Sequence, residues 1–157
     1  MPETLHILLV EDNPGDARLL HELLRDTRSF DFRLTRVERL SEATQVVEAE
    51  DVDVILLDLS LPDTQGMTTV HRMLAGASEI AIIVLTGWDD DVTAVQAVQA
   101  GAQDFLVKGQ VDGGVLTRAI RYALERKRLE LERAQLLERE RQARATAEAA
   151  VRGRDEI

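Results

Sequence analysis

The chain has 157 residues, 45% of them hydrophobic, which suits one compact domain of ~100–150 residues with an appendage rather than two full domains. It contains no cysteine, so disulfides and thiolate metal sites are excluded and a reducing cytoplasm is the expected setting. The net charge of −10 divides unevenly: through Gly114 there are 21 acids and 8 bases, and from Val115 onward 8 acids and 11 bases. Such an acidic body repels phosphate backbones, and no nucleic-acid partner is expected.

The first apolar run, Leu5–Val10, is continuous and reads as a strand covered on both faces. A helical pattern follows over Asp16–Arg25, with Leu19, Leu20, Leu23 and Leu24 on one face. Phe32–Val37 alternates apolar and charged residues, as an edge strand does. Ser41–Ala49 predicts a second helix with Ser41 as its N-cap. Val52–Leu57 is again a continuous strand, followed by a helix over Met67–Leu74 and a strand over Ile80–Leu85. The acidic run Asp89-Asp90-Asp91 complements the dipole at the start of a helix over Val92–Ala100, and Gly101 stops it. Phe105–Val107 is the last strand.

No apolar run approaches the ~20 residues of a membrane span. Met1–Thr4 lacks a basic residue, and Glu11 and Asp12 follow the first apolar run at once, so no secretory leader is expected either. Strand and helix alternating five times predicts an α/β doubly wound, five-stranded parallel sheet with right-handed crossovers.

Beyond Gly113-Gly114, Val115 to about Val151 has no Pro or Gly and predicts one long helix. Tyr122, Leu129, Leu136, Ala143 and Ala150 recur every seventh residue, the seam of a left-handed coiled coil. A homodimer through residues 115–151 is therefore expected, although Arg126, Arg133 and Glu140 occupy the partner positions and Leu124 with Leu131 offers a competing seam. A single solvated helix held by charge pairs such as Glu140 with Arg144 is the alternative. The basic run Arg121–Glu130 is interleaved with glutamates and joined to an acidic body, unlike a DNA-reading zipper.

In open parallel sheets, ligands bind beyond the carboxyl ends of the strands. The residues arriving there are Glu11 and Asp12, Asp58, Thr86 and Lys108. Three carboxylates in one place repel and are costly to desolvate unless they share a cation. Oxygen donors without Cys or His select a hard ion such as Mg²⁺. His6, His21 and His71 are scattered and have no metal spacing. With a dication and Lys108 at hand, Asp58 stays ionised as a nucleophile toward phosphorus, and Thr86 supplies a hydroxyl donor.

VEDNPGDARLL, VILLDLSLPDTQG, IIVLTG and AGAQDFLVKG together resemble the receiver domain of two-component response regulators, over about residues 4–124. The resemblance implies a flavodoxin-like fold with strand order 2-1-3-4-5. It implies that Asp58 takes a phosphoryl group from a phosphohistidine on a histidine kinase or a histidine phosphotransfer protein. It further implies that Glu11, Asp12, Asp58 and the backbone carbonyl of Ser60 hold Mg²⁺, that Lys108 pairs with the phosphate, and that Thr86 and Phe105 act as switch residues. The receiver then occupies residues 1–124, with 125–157 a coiled-coil extension or a linker to a further effector domain.

Three positions depart from the family pattern. Glu11 replaces a commoner aspartate, Gly109 replaces a proline often found after the lysine, and Trp88 puts a large ring where access of water to the acyl phosphate is controlled. The closing EAAVRGRDEI resembles the segment entering the phosphohistidine helix of sensor kinases, so the chain is expected to be the N-terminal part of a hybrid protein. Two rival functions compete: a degenerate receiver that binds partners without phosphorylation, and a small-molecule phosphatase of the haloacid dehalogenase kind. The latter needs a second acid where Ser60 stands. A Rossmann binder needs a glycine-rich turn where the chain has EDNPGD.

Overall fold

The structure, a computed structural model, describes residues 4–155. The chain runs β1 (Thr4–Val10), α1 (Pro14–Arg25), β2 (Asp31–Val37), α2 (Leu40–Ala49), β3 (Val54–Asp58), β4 (Ser60–Leu61), β5 (Thr64–Gln65), α3 (Gly66–Gly76), β6 (Ala81–Thr86), α4 (Asp91–Ala100), β7 (Asp104–Val107) and α5 (Gly113–Asp155). The five long strands form one parallel sheet in the order β2-β1-β3-β6-β7, the expected 2-1-3-4-5 winding. The chain reverses direction across the sheet between β1 and β3, so their carboxyl ends border the crevice where such folds bind ligands.

The alternation of side chains along each central strand divides the core in two. Leu8, Val10, Ile55, Leu57, Ile82 and Val84 point to the face covered by α2, α3 and α4, where Ala43, Met73 and Ala97 meet them. Leu5, Ile7, Leu9, Val54, Leu56 and Ile83 point to the other face, covered by α1 and α5 through Leu20, Leu24, Leu116 and Ile120. Burial on both faces is why β1, β3 and β6 read as unbroken apolar runs. β2 lies at the edge and keeps its alternating exposure.

α1 starts two residues earlier than the sequence pattern predicts. Asn13 caps it by accepting the Asp16 amide, and Pro14 occupies the first turn. Leu19 does not join the apolar face; it is 48% exposed, while Ala17, Leu20 and Leu24 are buried. The expectation for α2 is also corrected. Ser41 is not the cap, because the helix already begins at Leu40 and the Ser41 amide is itself an open donor. Asp63 caps the helix from a distant loop instead, accepting from the Leu40 amide at 3.0 Å and the Ser41 amide at 3.1 Å. A carboxylate with two free oxygens satisfies two amides where one hydroxyl satisfies one. These bonds hold the Asp63 carboxyl below the usual range against the desolvation that acts the other way.

α5 is one helix of 43 residues, about 64 Å long. Its first turns bury Leu116, Ile120 and Ala123 against the sheet. The grip extends further than apolar packing does: Gln103 Nε2 donates to Glu130 Oε1 at 3.0 Å, and Arg126 stands 3.8 Å from Asp104. From Glu132 to Arg154 every residue is exposed. Among the described residues, no helix is long and apolar enough to cross a membrane.

Candidate functional site

Parallel strands that end in register bring their following residues to one rim. Glu11 follows β1, Asp58 ends β3, Thr86 ends β6 and Lys108 follows β7. Glu11, Asp12 and Asp58 each place a carboxylate oxygen within 4.8 Å of the others. Into this cluster reaches Lys108, whose Nζ lies 2.6 Å from Glu11 Oε2 and 3.0 Å from Asp58 Oδ2. A third carboxylate meets the same ammonium, Asp16 Oδ2 at 3.1 Å. The sequence pattern shows Asp16 only as the start of a helix.

Burial governs the charges. Glu11 is fully buried, and desolvation pushes its carboxyl up to about 7, with the Asp58 charge adding to the rise and Lys108 opposing it. Burial alone would depress the Lys108 ammonium, but its ion pair with Glu11 and its bond and charge interaction with Asp58 hold its pKa above the usual lysine value. The short contact between Lys108 and Glu11 lies outside hydrogen-bond geometry. Among the described residues, Glu11 Oε2 is the buried side-chain oxygen that lacks a hydrogen-bond partner. A buried oxygen held by an ion pair alone, beside two further carboxylates and with no sulfur or imidazole in the set, is a donor arrangement that fits a hard divalent cation.

The β3–α3 loop shapes one wall. β4 and β5 pair antiparallel across Pro62 and Asp63, a feature that the sequence pattern does not predict. The Ser60 amide donates to Asp58 Oδ1 at 3.2 Å, while the Ser60 hydroxyl turns to Gln65. Gly66 turns the chain into α3 with φ +57, and its amide donates to the Leu59 carbonyl. The loop is thus tied by backbone bonds to the end of the strand that carries Asp58.

Thr86 is buried, and its hydroxyl donates to the Leu106 carbonyl at 3.4 Å, toward β7. Phe105 is half-buried and packs on the core cluster beneath α2, α3 and α4. Gly109 has φ +86, a backbone region closed to proline. Glycine at this position therefore sets a loop path that proline cannot follow. Trp88 is 67% exposed, and its indole Nε1 would lie 3.7 Å from a Cβ at Gly109. The ring stands beside the loop that carries Lys108. The three histidines stay outside the site: His6 is buried and bonds Thr35 and the Asp51 carbonyl, and His21 and His71 are exposed.

Comparisons with known proteins identify the family. The family model described as the response regulator receiver domain matches residues 7–121. The chain is 36% identical over 104 residues to the swarming motility regulation protein RssB of Serratia marcescens, covering 66% of this chain and 46% of that protein. It is 34% identical over 127 residues to the response regulator protein PilR of Pseudomonas aeruginosa, covering 81% of this chain and 28% of PilR. It thus spans less than half the length of these curated relatives. Among solved structures, the signal receiver domain of a LuxO repressor protein from Vibrio parahaemolyticus superposes with a TM-score of 0.68 at 29% identity, covering 81% of this chain and 95% of that one. The signal receiver domain of an HD domain-containing protein from Pseudomonas fluorescens Pf-5 gives 0.70 at 27% identity, covering 85% and 96%. With its sheet order, its acidic rim and a family match over most of its length, the chain belongs to the response regulator receiver domain family, a class of phosphorelay signalling modules.

Proposed function

We propose that the chain accepts a phosphoryl group on Asp58 from the phosphohistidine of a histidine kinase or histidine phosphotransfer protein in the cytoplasm, and passes the resulting state along α5. The observation that carries this reading is the convergence of Lys108 and the acidic cluster on the Asp58 carboxylate. Glu11, Asp12, Asp58 and the Ser60 carbonyl are the groups that would hold Mg²⁺. When bound, that ion supplies positive charge to the phosphoryl oxygens and to the carboxylates around them.

In the transfer, an Asp58 oxygen bonds to phosphorus as the donor's P–N bond breaks, and the imidazole keeps the electron pair and takes up a proton. Lys108 pairs with a phosphoryl oxygen and Thr86 donates its hydroxyl to another. For Thr86 this means giving up its long bond to Leu106, which costs little and loosens β7 beside Phe105. Phe105 follows Asp104 and Gln103, whose side chains reach Arg126 and Glu130 on α5. A shift of β7 therefore pulls directly on the long helix. Trp88 at the loop shields the acyl phosphate from water, so Trp88→Ala shortens its lifetime; an unchanged lifetime removes this role.

Output is read as a parallel homodimer through residues 115–151, supported by Tyr122, Leu129 and Leu136, which are 50–62% exposed on the repeating seam. The greater length of its relatives supports a longer protein in which a further domain follows the helix; a kinase-like effector there is our reading of the closing segment of the sequence. Incubation with acetyl phosphate and Mg²⁺, followed by intact mass, tests the central step. The wild type gains the mass of one phosphoryl group and Asp58→Asn does not. Unchanged wild-type mass would favour a receiver that binds partners without phosphorylation.

A further inference from the structure

We propose that Asp16 is a positioning residue for Lys108: its carboxylate is the one anchor the ammonium keeps when Glu11 and Asp58 are engaged by a cation or a phosphoryl group. The inference rests on the phosphoryl-accepting reading above and goes beyond it by assigning a residue from the first turn of α1.

An ammonium has three N–H donors on a flexible four-carbon stem, so its position is set by whatever accepts those donors. Lys108 makes hydrogen bonds to Asp58 Oδ2 at 3.0 Å and to Asp16 Oδ2 at 3.1 Å, and an ion pair with Glu11 Oε2. Two of these three partners belong to the carboxylate cluster, and Asp16 does not. A dication at the cluster therefore competes with Lys108 for Glu11 and Asp58 and leaves Asp16 untouched. Asp16 is itself well held, because its amide donates to Asn13 Oδ1 at 3.0 Å in the cap of α1. Its side chain is 41% exposed and meets the Lys108 head from the solvent side.

The consequence is geometric. Without Asp16, a lysine displaced from the acids by the ion would sample its rotamers in the open cleft and meet the phosphoryl group only part of the time. Misplacing a catalytic group by ~1 Å can cost up to ~100-fold in rate. Part of that loss, roughly tenfold, is expected here because the phosphoryl oxygens themselves attract the ammonium.

The chain contains two lysines, Lys108 and Lys127, so lysine labelled with carbon-13 at the ε position gives two resolvable signals. In the wild type the Lys108 ε-methylene protons should remain inequivalent, the mark of a held side chain, both without and with saturating Mg²⁺. In Asp16→Asn they should remain inequivalent without Mg²⁺ and average with it, while the Lys127 signal does not move. The rate of phosphoryl uptake from acetyl phosphate should fall roughly tenfold in Asp16→Asn, yet Asp16→Asn in a Lys108→Met background should change the residual rate less than about twofold, as for two residues acting through one contact. A Lys108 signal equally restrained in Asp16→Asn with Mg²⁺, an unchanged or faster reaction, or the same loss in both backgrounds would overturn the proposal. A wild type that takes up no phosphoryl group would sink the functional reading instead, and the lysine signals would still decide whether Asp16 holds Lys108.

Discussion

The strand-end rim and the solvent-facing surface of α5 are both rich in acids paired with bases, and the pairs behave in opposite ways. On the helix, Arg128 is bracketed by Glu125 and Glu132 at 2.5 Å each, shorter than any contact at the rim. Those groups stand in water, which screens them and supplies alternative partners, so the short distances carry little stability. At the rim, Lys108 faces a fully buried Glu11 and a nearly buried Asp58, and the solvent that would soften their repulsion is gone. Burial rather than distance decides which ion pairs matter. The same residue types make a solvated rod in one place and a buried cluster of mutually repelling carboxylates in the other.

The largest effect is expected at Lys108. In metal-free protein, Lys108→Met leaves Glu11 and Asp58 without a cation and should cost about 2 kcal/mol in urea unfolding, below the range for a fully buried pair because Lys108 is partly exposed and Glu11 can protonate. Excess Mg²⁺ should restore most of the loss. A change of similar size for Arg128→Met, whose pairs with Glu125 and Glu132 stand in water, would erase the distinction between the two regions.

Glu11 makes the stability of the rim depend on pH. Its carboxyl titrates near 7 in the folded protein against an ordinary value of 4.5. An acid with a raised folded pKa favours folding below the unfolded value and loses that contribution as pH rises through the folded value. Glu11→Gln, which mimics the protonated form, should therefore be neutral near pH 4.5 and stabilise the metal-free protein at pH 8 by on the order of 2 kcal/mol. Melting curves at the two pH values check this, and equal effects at both would contradict a buried, strained Glu11.

Smaller effects follow at the periphery. Asp63→Ala removes the cap of α2 and should destabilise by about 1 kcal/mol. Glu140→Ala, which breaks an exposed pair with Arg144, should leave the melting temperature unchanged.

Much of this arrangement is legible in the sequence, for a physical reason. β1, β3 and β6 are covered on both faces and so are written as runs of Val, Ile and Leu, and their polar successors Glu11, Asp58 and Thr86 stand out against those runs. Lys108 is legible by the same logic after β7. What escapes is whatever depends on contacts between distant segments. Asp63 caps a helix whose first residue lies 23 positions away, and Asp16 meets a lysine 92 positions away. Neither leaves a periodic trace. Gln103 and Glu130 likewise look like ordinary polar surface, although they tie the long helix to β7. The two-residue strands β4 and β5 are too short to show any pattern of their own.

Calorimetric titration with Mg²⁺ at pH 7 decides whether a divalent cation holds the crowded carboxylates at the rim, as we propose. One ion should bind per chain with release of part of a proton, since Glu11 is then about half protonated, and Asp12→Asn should weaken binding at least about tenfold. Absence of binding, or binding that Asp12→Asn leaves unchanged, would contradict the account.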